Sequence, residues 1–207
     1  METDALENFL KERKPRILGS EGMVQAAVAL PLLEGDGGWQ LVFEVRSHRL
    51  RRQPGEICFP GGQVEPGEDP AMTAIREMGE ELGLPENRIK VLGPLDILVN
   101  PWRTIVYPYV CRIDPEPLRP NPDEVEEVFC VPVDYFLRHP PEVHHVHLDV
   151  HPEETFPFHR IPGGRNYPWT RGQTPEYFYE YKGKVIWGLT ARILKHFLDL
   201  TTTGKSR

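Results

Sequence analysis

Hydrophobic positions in this chain fall into short blocks separated by Gly- and Pro-rich gaps, and the period within each block predicts its element. Near the N-terminus Leu6, Phe9 and Leu10 recur at helical spacing over residues 4–13. An apolar run at 24–33, the cluster Gly35, Asp36, Gly37 and Gly38, and a second run at 39–45 predict a β-hairpin. Residues 54–67 carry several glycines and predict a loop. Residues 69–82 then show the clearest internal helical period, stopped by Gly83 and followed by Pro85. Runs at 89–99, 104–113 and 125–131 predict further strands, and 133–137 a short helix. Residues 140–175 are rich in Pro, Gly and His and read as a long elaborated loop with short strands. A last strand is expected at 177–181. A terminal amphipathic helix is expected at 185–200, where Ile186, Leu189, Ile193, Phe197 and Leu200 share a side. Strands interleaved with a few helices predict one α/β domain over 1–207, with helices layered on a mixed sheet.

Composition narrows this picture without changing it. A hydrophobic fraction of 39% over 207 residues suffices for a buried core. The formal charge of −7, from 24 basic and 31 acidic residues, argues against a nucleic-acid partner, which needs a basic face. Yet Arg46, His48, Arg49, Arg51 and Arg52 crowd into one short stretch, so a small anion can still be met locally. Cys58, Cys111 and Cys130 are odd in number and lie in apolar surroundings, which does not suit a disulfide framework. No apolar run reaches membrane-spanning length and the first 16 residues carry no signal core, so a cytoplasmic setting is expected.

Candidate chemistry centres on the helix at 69–82. At about 100° per residue, Glu77, Glu80 and Glu81 fall within roughly a 100° arc. Ala71, Ile75, Met78 and Leu82 take the opposite side. Three carboxylates on one face repel each other and, as hard oxygen ligands, suit Mg²⁺ or Mn²⁺. A solvated acidic face would give the same pattern.

The surrounding residues decide between these readings. The segment GQVEPGEDPAMTAIREMGEELGL, residues 62–84, places Gly62, Glu68, Arg76, Glu77, Met78, Glu80, Glu81, Gly83 and Leu84 at every specified position of the Nudix box. The chain therefore resembles the Nudix hydrolases. The resemblance implies an α/β/α sandwich with a mixed sheet, a loop-helix-loop catalytic motif, and hydrolysis of a diphosphate with Mg²⁺ or Mn²⁺. It implies Glu80 and Glu81 as principal metal ligands, with Glu77 ligating or positioning the attacking water. Glu68 would join the outer metal shell or brace the helix, and Arg76 would hold a carboxylate. Gly61 and Gly62 would let the preceding loop turn close to the metal. The general base stays open between Glu77 and the run Glu124, Glu126, Glu127.

The stretch VFEVRSHRLRRQPGEICFPGG, residues 42–62, is similar to the signature of the coenzyme A diphosphatases within that family. Arg46, Ser47, Arg51, Gly55, Phe59, Pro60, Gly61 and Gly62 match in register, whereas Val42, Phe43 and Glu44 stand where the commonest form has Leu, Leu and Thr. Asn121 to Val125 and Ile186 to Ala191 also look like this group. The implied substrate is coenzyme A, with Arg46 and Arg51 binding its phosphates. Other readings are a different nucleoside diphosphate derivative, such as ADP-ribose or a dinucleotide, and a non-catalytic ligand-sensing protein. Tyr167, Trp169, Tyr177 and Phe178 are candidates for stacking on substrate or closing a small core. The histidines at 144, 145, 147, 151 and 159 fit a solvated strand better than a zinc site. A small-molecule partner is expected, nucleic acid and membrane are not, and a homodimer is left open.

Overall fold

The structure, a computed structural model, describes residues 3–35, 37–115 and 117–203. Its elements in chain order are α1 (Thr3–Glu12), β1 (Val24–Gly35), β2 (Gly38–Arg46), β3 (Ile57–Cys58), β4 (Gly61–Gln63) and α2 (Pro70–Leu82). There follow β5 (Ile89–Pro94), β6 (Leu98–Asn100), β7 (Thr104–Ile113), β8 (Val125–Pro132), α3 (Val133–Arg138) and β9 (Glu142–Leu148). The last three are β10 (Gly172–Tyr181), β11 (Lys184–Ile186) and α4 (Gly188–Thr203). The central sheet is mixed: β1 runs parallel to β7, and its other pairings are antiparallel.

Alternation along β1 explains why both faces are covered. Ala27 and Ala29 belong to one core with Ala74, Met78 and Leu82 of α2. Leu30 and Leu32 belong to the other, with Phe136 of α3 and Ile193, Leu194 and Phe197 of α4. Period-2 side chains on a central strand must face both layers. The short alanines on the α2 side let that helix lie close to the sheet.

β1 and β2 pair only over residues 32–35 and 38–41 and then separate. β3 pairs with β2 at Glu44 and Val45, while β4 pairs with β1 at Ala26 to Val28. The opposite edges of β2 and β1 are taken by β8 and β7. Residues 57–63 therefore form a strap wedged between the diverging strands, fastened by the Ala29 N–H donating to the Pro60 carbonyl at 2.8 Å.

α2 is bounded by its own sequence. The Asp69 carboxylate accepts from the Ala71 N–H at 2.8 Å, and Pro70 occupies the first turn. Gly83 closes the helix in the left-handed region, at φ 65. The Arg119 carbonyl passes so close to Gly83 that a Cβ there would overlap it.

Three expected elements differ. The run at 89–99 is two strands, because Leu95, Asp96 and Ile97 leave the ladder between β5 and β6. The expected loop with short strands at 140–175 holds β9 and an open stretch over 149–171, but the last strand begins at Gly172, before the expected 177, and pairs with β9 over seven positions. The terminal helix starts at Gly188; Val185 and Ile186 lie in β11, paired with Glu180 and Tyr179.

A Gly83→Ala variant should lose more than about 1 kcal/mol of stability, since both the positive φ and the Arg119 carbonyl oppose a side chain. Urea unfolding checks this, and an unchanged midpoint would contradict the packing described.

Candidate active site

The strap, α2 and residues 119–124 meet at one place. Asn121 N–H donates to the Glu81 carbonyl and Arg119 N–H to the Leu82 carbonyl, both at 2.9 Å, so this segment is laid along the last turn of α2. Ser47 N–H donates to the Glu124 carbonyl at 2.8 Å, which ties the arginine-bearing turn after β2 to the same segment.

Arg76 organises the helix carboxylates. Its Nε and Nη2 donate to the two oxygens of Glu68 at 3.1 and 3.2 Å, and its Nη1 donates to Glu77 at 2.8 Å and lies 3.5 Å from Glu80. Glu68 also accepts from the Thr73 hydroxyl at 2.7 Å and the Glu65 N–H at 3.2 Å. Hydrogen bonds from Arg76 and Thr73 hold its carboxyl down at about 2. With its oxygens so fully used, Glu68 stands as a brace between the incoming loop and the helix.

Glu77 faces the strap, and a Cβ at Gly62 would overlap its carboxylate. Burial raises its pKa, against the opposing pull of Arg76. Glu80 remains exposed. Glu81 departs from the expectation of three carboxylates on one outer face. It is buried, at 5% exposure, and accepts from the Gly61 N–H at 2.9 Å. Burial, then the negative charge of Glu44, push its carboxyl up to about 9.

Glu44, not among the expected site residues, is fully buried on β2 opposite Cys58. The Cys58 thiol donates to its Oε1 at 3.2 Å, whereas Oε2 has no hydrogen-bond partner among the described residues. Burial raises Glu44 to about 7 and raises the Cys58 thiol well above its ordinary value. Two signs of it stand in the sequence: a Glu breaks the apolar run of Val42, Phe43 and Val45, and it takes the place where the signature has Thr.

The candidate bases separate. Glu124 is exposed and accepts from the Asn121 side chain at 3.3 Å, and its charge adds a last, smallest upward push to Glu44, Glu77 and Glu81. Glu127 is held by Lys184 at 2.6 Å, and Glu126 is exposed on β8.

The arginines divide as well. Arg46 is half-buried, its Nε bonded to the Arg52 carbonyl at 3.4 Å, and its charge lowers the pKa of Glu44. Arg49 pairs with Asp123 at 3.0 Å. Arg51 is exposed and makes no ion pair or hydrogen bond among the described residues. Beside this turn lies a groove of about 580 Å³ bordered by Val45, Pro54, Ile57, Phe178, Lys184 and Trp187. Phe178 stacks on Trp187, whereas Tyr167 and Trp169 close a small cluster with Phe156. Tyr177 packs on the α4-side core, and the histidines at 144, 145 and 147 are exposed on β9.

The donor set at α2 is all oxygen and strongly anionic, and a buried carboxylate oxygen beside it lacks a donor; both fit a hard divalent cation. Among the described residues no three His, Cys, Asp or Glu side chains already stand as a closed ligand set. Arg76 draws Glu68 and Glu77 to itself, which keeps the group open. All three cysteines are free thiols, and no described helix is long and apolar enough to cross a membrane.

A carboxylate-bearing helix behind a glycine strap on a mixed sheet defines a class. The model of the NUDIX domain matches residues 23–153, and the chain belongs to the Nudix family. The peroxisomal coenzyme A diphosphatase NUDT7 of Mus musculus is 46% identical over 55% of this chain and 49% of its own length. The mitochondrial coenzyme A diphosphatase NUDT8 of Homo sapiens is 40% identical over 55% of this chain and 50% of its own. The chain thus spans about half the length of these curated relatives. The uncharacterized Nudix hydrolase NudL of Photorhabdus laumondii is 33% identical over 84% of the chain and 83% of its own. Among solved structures, a MutT/nudix family protein from Enterococcus faecalis shares the fold, with a TM-score of 0.50 at 16% identity over 96% of this chain and 69% of its own.

A pH dependence follows from the two buried carboxylates. Without a cation, the folded protein keeps protons on Glu81 and Glu44 at pH values where the unfolded chain has lost them. Folding then takes up protons, so stability falls as pH rises. The loss begins near the ordinary value of 4.5 and is complete above about 9. Thermal unfolding of chelator-treated protein should show Tm declining across that window; a flat profile would contradict the burial of these groups.

Proposed function

We propose that this protein hydrolyses the diphosphate of coenzyme A, or of its derivatives, to 3′,5′-ADP and 4′-phosphopantetheine, using Mg²⁺ or Mn²⁺. The observation that carries the reading is the α2 carboxylate group facing the Gly61–Gly62 strap, with Arg46 and Arg51 on the adjoining turn. The names of the relatives reported above support the choice of substrate.

Glu80 and Glu81, with Glu77, are the residues that would hold the cation. A bound divalent ion would neutralise the diphosphate and acidify a water. Arg76 keeps Glu77 oriented, and Glu68 fixes Arg76 in turn. Glu124 lies on the segment bonded to the last turn of α2 and is the proton acceptor we favour. Arg51, with no ion pair or hydrogen bond among the described residues, is available for a phosphate, while Arg46 is positioned by the Arg52 carbonyl. The groove beyond Val45 and Ile57 accommodates the rest of the substrate. The free thiols fit a reducing compartment.

Three measurements test the proposal. Glu80→Gln should lower turnover at limiting metal by at least about a hundredfold while Tm stays near wild type, because that side chain is exposed. Near-normal activity would remove it from the metal site. Arg51→Ala should weaken productive binding by roughly 1.5–3 kcal/mol. A smaller loss with dephospho-coenzyme A would place Arg51 at the ribose 3′-phosphate; an equal loss would place it at the diphosphate. In ¹⁸O-labelled water, one product should gain a single heavy oxygen at its new phosphate. Faster consumption of ADP-ribose than of coenzyme A would overturn the substrate assignment.

A further inference from the structure

Glu44 and Glu81 are two buried carboxylates that both meet the strap, Glu44 through the Cys58 thiol and Glu81 through the Gly61 N–H. Glu44 enters from β2 and Glu81 from α2, and the charge of Glu44 disfavours ionisation of Glu81. The donors they receive are weak in total: the Cys58 thiol reaches Glu44 Oε1, and the Gly61 N–H reaches Glu81. Glu44 Oε2 is buried and has no donor among the described residues. The nearest fixed cation to Glu44 is Arg46, whose Nε is already directed to the Arg52 carbonyl. Arg76, the other cation at the site, is taken by Glu68 and Glu77.

A carboxylate oxygen removed from water without a donor is costly, and two such groups side by side are more so. A purely structural role would be better served by an apolar residue, since the flanking Val42 and Phe43 are both fully buried. A hard divalent cation settles both carboxylates at once, because it takes several oxygens and outweighs their mutual repulsion. We propose that Glu44 is an additional carboxylate ligand of the divalent-cation site, reaching it from β2 through the oxygen that lacks a protein partner.

This rests on the metal reading above and is tested separately from it. Chelator-stripped full chain is titrated with Mn²⁺, following free Mn²⁺ by electron paramagnetic resonance and Tm by calorimetry. Wild type, Glu44→Gln, the apolar near-isostere Glu44→Met, and Glu81→Gln are compared. Both Glu44 variants should keep or raise the metal-free Tm, since each removes a buried carboxylate without emptying its volume. Both should bind Mn²⁺ about tenfold or more weakly, or bind one ion fewer, and gain less Tm from it. Unchanged Mn²⁺ binding and Tm gain in both variants, with Glu81→Gln impaired, would overturn the role of Glu44 and leave the metal site standing. A metal-free Tm that drops in both variants with binding intact would make Glu44 structural instead. Absence of Mn²⁺ uptake by the wild type would overturn the metal reading itself.

Discussion

Several carboxylates must share about two turns of one helix without driving it apart, and the guanidinium of Arg76 makes that arrangement tenable. Its planar fork takes both oxygens of Glu68 and one of Glu77, and reaches towards Glu80. Glu81 has a different solution, a backbone N–H from the strap. Much of the surrounding architecture serves that single contact. β1 and β2 must part so that residues 57–63 can enter between them. Ala27 and Ala29 must be small for α2 to approach. Gly62 must lack a side chain because the Glu77 carboxylate occupies its space.

What could be read from the sequence was what is encoded locally. The α2 helix carries its own cap, its apolar stripe and its terminating glycine within a few residues, so its limits and the position of the carboxylates were visible directly. The inward turn of Glu81 was not, because helical periodicity gives a direction around the axis and not the depth of the neighbouring strap. Glu44 escaped for a related reason. Its neighbours read as an ordinary buried strand, and its role depends on where β1 and β2 separate.

In the C-terminal third the elements were legible and their starting residues were not. Prolines, glycines and histidines at 140–175 suggest a loop with short strands, and β9 and β10 form a two-stranded ribbon on which His144, His145, His147 and Gln173 are exposed. Val185 and Ile186 fit a helical stripe with Leu189 and Ile193 equally well. Gly188, in the left-handed region at φ 63, separates strand from helix. A period alone cannot detect that break.

The carboxylate site and the arginine turn are not independent parts. Residues 119–124 bond to the last turn of α2 through Arg119 and Asn121, and to the turn after β2 through Glu124 and the Arg49–Asp123 pair. A single short segment therefore fixes the distance between a strongly anionic centre and a basic one. The two would otherwise attract and collapse onto each other. Arg49 and Arg46 are held back, by Asp123 and by the Arg52 carbonyl, which leaves Arg51 free to project. A ligand that spans the two centres would meet them already held at a set separation, the carboxylate centre accepting an anion only through a bound cation, so that its binding need not supply the cost of ordering them.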